Sequence, residues 1–225
     1  MLRKFIIISL IFLFALPGCV SRMTVKKVPP GSSLASLGEN LLIFGRIRWI
    51  QNGEEIKSFS RMGDISTGFR IAVQILRVED MKTGAIFEVE KDGRFFALLP
   101  MGIYVIHRLD WADFWGRGRL VPRVAFQVSE GQHSYYLGTL CVNVKTKRNI
   151  FGDQIVKGLD IYIEDEEGKA MEAFHKRYPH QEVKVAKALM VHDPSIPRID
   201  ELESQRILLD AILSLHFGLM PTLYP

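Results

Sequence analysis

From Leu41 onward the chain alternates. In "LLIFGRIRWI", Arg46 and Arg48 fall on one side of an extended chain, and Ile47 and Trp49 fall on the other. A side-chain period of two marks a half-buried strand and does not fit a helix, whose apolar positions recur every three or four residues. "FRIAVQILRV" repeats the pattern, with Phe69, Ile71, Val73 and Ile75 on one face. "AIFEVE", "RFFALL", "IYVIHRL", "RVAFQV" and "SYYLGTLCVNVK" continue it. In "IYVIHRL" strict alternation sets Ile103, Val105, His107 and Leu109 against Tyr104, Ile106 and Arg108. Turn signals separate the runs: Asn52-Gly53, Thr83-Gly84, Asp92-Gly93, Pro100-Met101-Gly102 and Glu130-Gly131. After a break at Asn149–Gly152, "IVKGLDIYIE" reads as one more strand. Short strands at close spacing predict a mainly β chain, an antiparallel β-sandwich over residues 41–164.

Beyond about residue 165 the period changes. "EEGKAMEAFHKRYP" predicts a short helix that stops at Pro179, with Ala170, Ala173 and Phe174 on its apolar side. "IDELESQRILLDAILSLHFG" predicts a second helix. Asp200 and Glu203 have the spacing of a capping box, and Leu202, Leu209, Ile212, Leu213 and His216 fall near helical spacing. Residues 165–225 are therefore expected to form a helical region whose last helix docks on its own domain.

Part of the strand series resembles a known family. "DGRFFALLPMGIYVIHRL" is similar to the G-x-F-x-x-x-x-L-P-x-G-x-Y-x-I pattern of carboxypeptidase-regulatory-like and other prealbumin-like β-sandwiches. Gly93, Phe95, Leu99, Pro100, Gly102, Tyr104 and Ile106 carry the match. "VSEGQHSYYLGTLCV" looks like the closing hairpin of such domains. The resemblance implies that these residues build turns and core, and that the domain is an accessory or binding module without catalysis.

The front of the chain carries an address. Arg3 and Lys4 precede "FIIISLIFLFAL", which is apolar apart from Ser9. About 20 such residues are needed to span a bilayer, and this run has the length of a signal-peptide core. "Leu-Pro-Gly-Cys", Leu16 to Cys19, resembles the lipobox of bacterial lipoproteins. The resemblance implies diacylglyceryl transfer to the Cys19 sulfur and cleavage after Gly18. Residues 1–18 are then a signal peptide, and residues 19–40 a lipidated, flexible tether marked by Pro-Pro-Gly and serines. Val20, where an aspartate commonly signals inner-membrane retention, implies a place in the outer membrane of the cell envelope. Several acyl chains at about 0.8 kcal/mol per CH₂ hold a protein on a membrane without a spanning helix.

Loss of residues 1–18 removes Arg3 and Lys4 and lowers the formal charge from +4 to +2. That is no footprint for nucleic acid, which needs a clustered basic face. With Cys19 acylated only Cys141 remains, so no disulfide forms within the chain, and Cys141 reads as a buried small hydrophobe. None of the six histidines falls in a metal-ligand spacing. The chain has no Gly-x-Ser-x-Gly, no Walker A loop and no dinucleotide fingerprint, so neither a cofactor nor a metal is expected. "EDEE", Glu164 to Glu167, reads as a solvated helix start.

"RLDWADFWGRGRLVPR" stands apart. It sets Trp111, Phe114 and Trp115 beside Arg117 and Arg119, on what its glycines mark as an inter-strand loop. Aromatics beside arginines are the material of protein interfaces and sugar-stacking sites, and equally of a plug for the end of a sandwich. The leading expectation is a non-enzymatic, membrane-anchored envelope lipoprotein with a structural or protein-interaction role. The alternative is a glycan- or peptide-binding module using the same loop, for which exposed tryptophan rings are required. An enzyme would have to draw on His107, Asp110 and Asp113, the nearest titratable cluster.

Overall fold

The computed structural model describes residues 22–23, 25, 28–32, 40–59, 68–79, 84–113, 116–131, 133–148, 154–179, 184–198 and 206–217. They form a mainly β protein of two packed sheets. The larger runs in the order β1 (Arg22–Met23), β5 (Gly84–Glu88), β4 (Arg70–Arg77), β7 (Gly102–Asp113), β9 (Val124–Val128) and β13 (Val191–His192), with β8 (Gly116–Leu120) also on β7. The smaller runs β11 (Gln154–Glu164), β10 (Ser134–Arg148), β2 (Leu41–Gln51) and β3 (Glu54–Glu55), with β6 (Arg94–Leu99) on β2 and β12 (Val185–Lys187) on β10. Two helices follow the long strands, α1 (Glu167–Arg177) and α2 (Arg206–Phe217).

The alternation decides what lies between the sheets. Ile47 and Trp49 of β2, Ile71, Val73 and Ile75 of β4, Tyr104 and Ile106 of β7, and Leu140, Val142 and Val144 of β10 share one buried cluster. Most strand pairs are antiparallel, as expected. At the centre of the smaller sheet, however, β2 and β10 run parallel, from Ser134 opposite Leu42 to Val144 opposite Gln51. Asn52 and Gly53 take positive φ (53° and 87°) and turn β2 into β3, the conformation an Asn-Gly hairpin turn needs. Gly93 has φ 84°, and a Cβ there would meet the Ile47 carbonyl oxygen at 2.4 Å, so only glycine fits this turn. Phe95, Leu99, Tyr104 and Ile106 are core residues, and the Tyr104 hydroxyl donates to the Pro100 carbonyl at 2.8 Å.

One strand departs from its expected parity. Gln74 opposes Arg108 while Ile75 opposes Ile106, which leaves His107 as the extra residue of a bulge. The bulge switches the strand's faces. Tyr104 and Ile106 point into the sandwich before it, and Leu109 and Trp111 after it. Val105 lies on the outer face beneath α2, in a separate cluster with Leu76, Ala125, Ile196, Leu209, Ile212 and Leu213. The terminal helix thus docks on its own domain. Asp200 and Glu203, the expected cap, lie outside the described residues.

On the opposite outer face, α1 packs Phe174 with Phe44, Phe96, Tyr136, Tyr178 and Val28. The region after 165 is not purely helical, because β12 and β13 return to the two sheets. Residues 1–21, with Cys19, lie outside the described residues. Part of the expected free tether is held on the sandwich. Arg22 and Met23 pair with Gly84 and Ala85, and the Gly31 N–H donates to the Arg177 carbonyl at 3.0 Å. The Val28 carbonyl accepts from Arg177 Nη2 at 3.0 Å.

Candidate functional site

The segment expected as a loop is a β-hairpin. β7 runs to Asp113 and β8 begins at Gly116, with Asp110 opposite Arg119, Trp111 opposite Gly118, and Ala112 opposite Arg117. Alternation then sorts its side chains. Trp111 faces the other sheet and is 8% exposed. Its ring centroid lies 5.8 Å from that of Trp49 and 6.1 Å from that of Phe69, the latter nearly parallel at 11°. Trp111 is therefore core, the plugging role open to it from sequence. Phe114 and Trp115 lie outside the described residues. Arg117 is placed in register on β8, opposite Ala112.

The outer face of the same strands holds a cleft of about 610 Å³. Its lining includes Arg70 and Ala72 of β4, Asp110 and Ala112 of β7, and Gly118 and Arg119 of β8. Ala72 and Ala112 leave the space; the charged residues border it. Asp110 accepts from Arg108 Nε at 3.0 Å and from the Gln74 side-chain amide. Arg119 Nε stands 3.5 Å from Asp110 Oδ1, an ion pair without hydrogen-bond geometry, and its side chain is 76% exposed. Among the described residues, Arg70 Nε and Asp110 Oδ1 are buried atoms without a hydrogen-bond partner. A buried polar atom left unpaired costs about 1–3 kcal/mol, so Arg70 and Asp110 carry unmet hydrogen-bonding capacity beside the cleft.

The cleft and α2 share the outer face of the larger sheet. α2 covers the Leu76 and Val105 end, and the cleft occupies the Arg70 and Ala112 end. His107, at the bulge, is half-buried with its Nδ1 unpaired. Burial, with help from Arg108, pushes its pKa down to about 4, so it is neutral at ordinary pH. No hydrogen bond joins His107 to Asp110 among the described residues. The side chain of Asp113 is not among those described.

Comparison with protein-family models, curated proteins and solved structures returns no match.

A second polar constellation escaped the sequence reading. Arg48, whose side chain is 16% exposed, pairs with Glu164, with Glu166 at 2.8 Å and with Glu55 at 3.8 Å. Burial opposes the guanidinium's charge, but its neighbours overcome that and raise its pKa. Glu166 also accepts from Thr139 Oγ1 at 3.0 Å and from Lys169 Nζ at 2.7 Å. The "EDEE" stretch is thus no simple solvated helix start: Glu164 and Glu166 anchor the approach to α1 on β2. Cys141 lies beside Arg48, with Sγ 3.8 Å from Nη1, and is buried as expected. Burial pushes its thiol up to about 11, which keeps it protonated and unreactive. Only the spacing of Arg46 and Arg48 on one strand face hinted at this network. Among the described residues, no group of three or more His, Cys, Asp or Glu is placed to hold a metal ion.

Proposed function

We propose that this chain is a lipid-anchored protein of the bacterial cell envelope, tethered through Cys19. Its sandwich serves as a non-catalytic module that binds a partner protein at the cleft between Arg70 and Arg119. The lipobox-like Leu16–Cys19 supports the anchor. The similarity of residues 93–106 to prealbumin-like sandwiches supports an accessory role. The observation that carries the binding role is the cleft itself, lined by Arg70 and Asp110, each with a buried polar atom lacking a hydrogen-bond partner, beside the exposed Arg119. The glycan alternative asks for an exposed ring on which a sugar stacks. Among the described residues the tryptophan bordering the cleft is Trp111, which is committed to the core and offers no such ring, and this favours the protein-binding reading.

The test is fractionation and cross-linking in a native-type cell. Cys19→Ala should move the protein out of the membrane fraction. Arg70→Gln with Arg119→Gln should leave it membrane-bound and abolish the cross-linked adduct. Retention of the Cys19 variant on membranes, or adducts unchanged in the arginine variant, would contradict the reading.

A further inference from the structure

The charges around the cleft do not balance. Arg108 and Arg119 share one acid, Asp110, and Arg70 lines the same cleft. Arg108 is held to that carboxylate at 3.0 Å, whereas Arg119 is mostly solvent-exposed and Arg70 Nε has no hydrogen-bond partner among the described residues. Two guanidinium groups therefore face an open cleft floored by small residues. A guanidinium fork is shaped to hold a carboxylate by paired N–H···O bonds. Asp110 Oδ1, which faces Arg119 at 3.5 Å without a hydrogen bond, leaves the Arg119 guanidinium only partly satisfied. The small side chains of Ala72 and Ala112 leave room for a peptide backbone to lie on the outer face of the sheet.

The position of the anchor separates a carboxylate ligand from a lipid phosphate. Arg22 is level with Gly84, Leu76 and Val105 across the larger sheet. Asp110 and Ala112, opposite Ala72 and Arg70, lie four and six ladder positions further along the sheet, since the bulge absorbs His107; that is about 13–20 Å at the usual strand rise, and three strands across, about 14 Å. Cys19 precedes Arg22 by three residues, a reach of about 10 Å at most. The lipid-bearing residue cannot come level with the cleft, and α2 stands on the same face nearer the anchor.

From charge, unmet hydrogen bonds and placement together, we infer that the cleft takes an acidic segment of a partner protein, presented from the side away from the anchoring membrane. The inference rests on the partner-binding reading given above and adds the chemistry of the partner.

The test uses the full acylated chain in phosphatidylcholine vesicles. The probes are a fluorescein-labelled nonapeptide carrying glutamate at every third position and its glutamine counterpart. The glutamate peptide should bind at least tenfold more tightly than the glutamine peptide, and the more weakly the higher the salt. Arg70→Gln and Arg119→Gln should each weaken it at least fivefold. Arg119 is largely exposed, so its variant should keep the wild-type melting temperature and separates binding from folding. Equal binding of the two peptides, or binding indifferent to both arginine variants, overturns the proposal. So does competition by phosphatidylglycerol vesicles that the same variants relieve, which would make the occupant a lipid headgroup. If neither peptide binds while cross-linking to a partner still depends on Arg70 and Arg119, the acidic chemistry fails and the binding reading stands.

Discussion

Trp111 and Gly118 face each other across the β7–β8 hairpin, and the indole occupies the space a side chain at 118 would need. A Cβ on Gly118 would meet Trp111 Cε2 at 2.1 Å. Gly118→Ala should therefore push the ring off Trp49 and Phe69. The expected cost is about 1–3 kcal/mol in urea unfolding, as for other overpacked cores. Trp111→Ala leaves a cavity instead and should cost about 3–5 kcal/mol. Tryptophan emission should shift to the red in Gly118→Ala. An unchanged spectrum and midpoint would mean that Trp111 does not fill that space.

Arg48 ties β2 to the strand end and helix start that carry Glu164 and Glu166. Removing the cation strands two carboxylates in a partly buried site. Fully buried pairs lose about 3–5 kcal/mol when one partner goes, and solvent near Glu164 lowers that here, so Arg48→Met should cost about 2 kcal/mol. Adding Glu164→Gln and Glu166→Gln should recover part of the loss. Chemical denaturation of the variants reads both effects; strict additivity would show that the three groups are not coupled.

Stability should depend on pH through His107 and Asp193. Burial lowers the His107 pKa from 6.5 to about 4, so between these values the unfolded chain binds the extra proton. The His107 contribution is intact above pH 6.5 and is lost as the pH falls toward 4. Asp193 is held below the ordinary carboxylate range by His216, 2.8 Å away, and by the Ser195 N–H. Its contribution is present above the usual value of 3.8 and disappears as the pH falls through the lower folded value. Melting temperatures of His107→Asn should be flatter than wild type between pH 6.5 and 4. Asp193→Asn should flatten the fall below that window. Parallel profiles for wild type and both variants would contradict these assignments.

The sandwich should stand with its cleft away from the bilayer. A donor dye on Glu130→Cys marks the turn after β9, near the anchor end, and one on Glu54→Cys marks the far end beside the Asn52-Gly53 turn. With an acceptor in the lipid headgroups, energy transfer should be stronger from position 130. Stronger transfer from position 54 would reverse the orientation.

Much of the architecture was legible because local signals set it. Asn52-Gly53 and Asp92-Gly93 mark turns that need positive φ, and alternation in "LLIFGRIRWI" separates Ile47 and Trp49 from Arg46 and Arg48 as the fold does. Non-local features were not legible. The parallel pairing of β2 with β10 joins segments about ninety residues apart, and nothing near Leu42 announces Ser134. The bulge at His107 reverses a face that strict alternation assigns the other way. Both sides of β7 are apolar there because α2 covers the outer one, so composition gave no clue to the switch.

The candidate site was half legible. The arginines and Asp110 stand in the segment singled out, but Gly116 and Gly118 read as loop glycines. Gly118 is instead a strand residue made small by its partner's indole. Arg70 and Ala72 reach the cleft from β4, some forty residues earlier, and no linear pattern joins them to Asp110.

Everything about where this protein works turns on Cys19. The most direct measurement is mass spectrometry of the amino-terminal peptide of protein extracted from membranes. The chain should begin at Cys19, its sulfur carrying a diacylglyceryl group. A peptide in which unmodified Cys19 is still joined to Gly18 would contradict lipid anchoring.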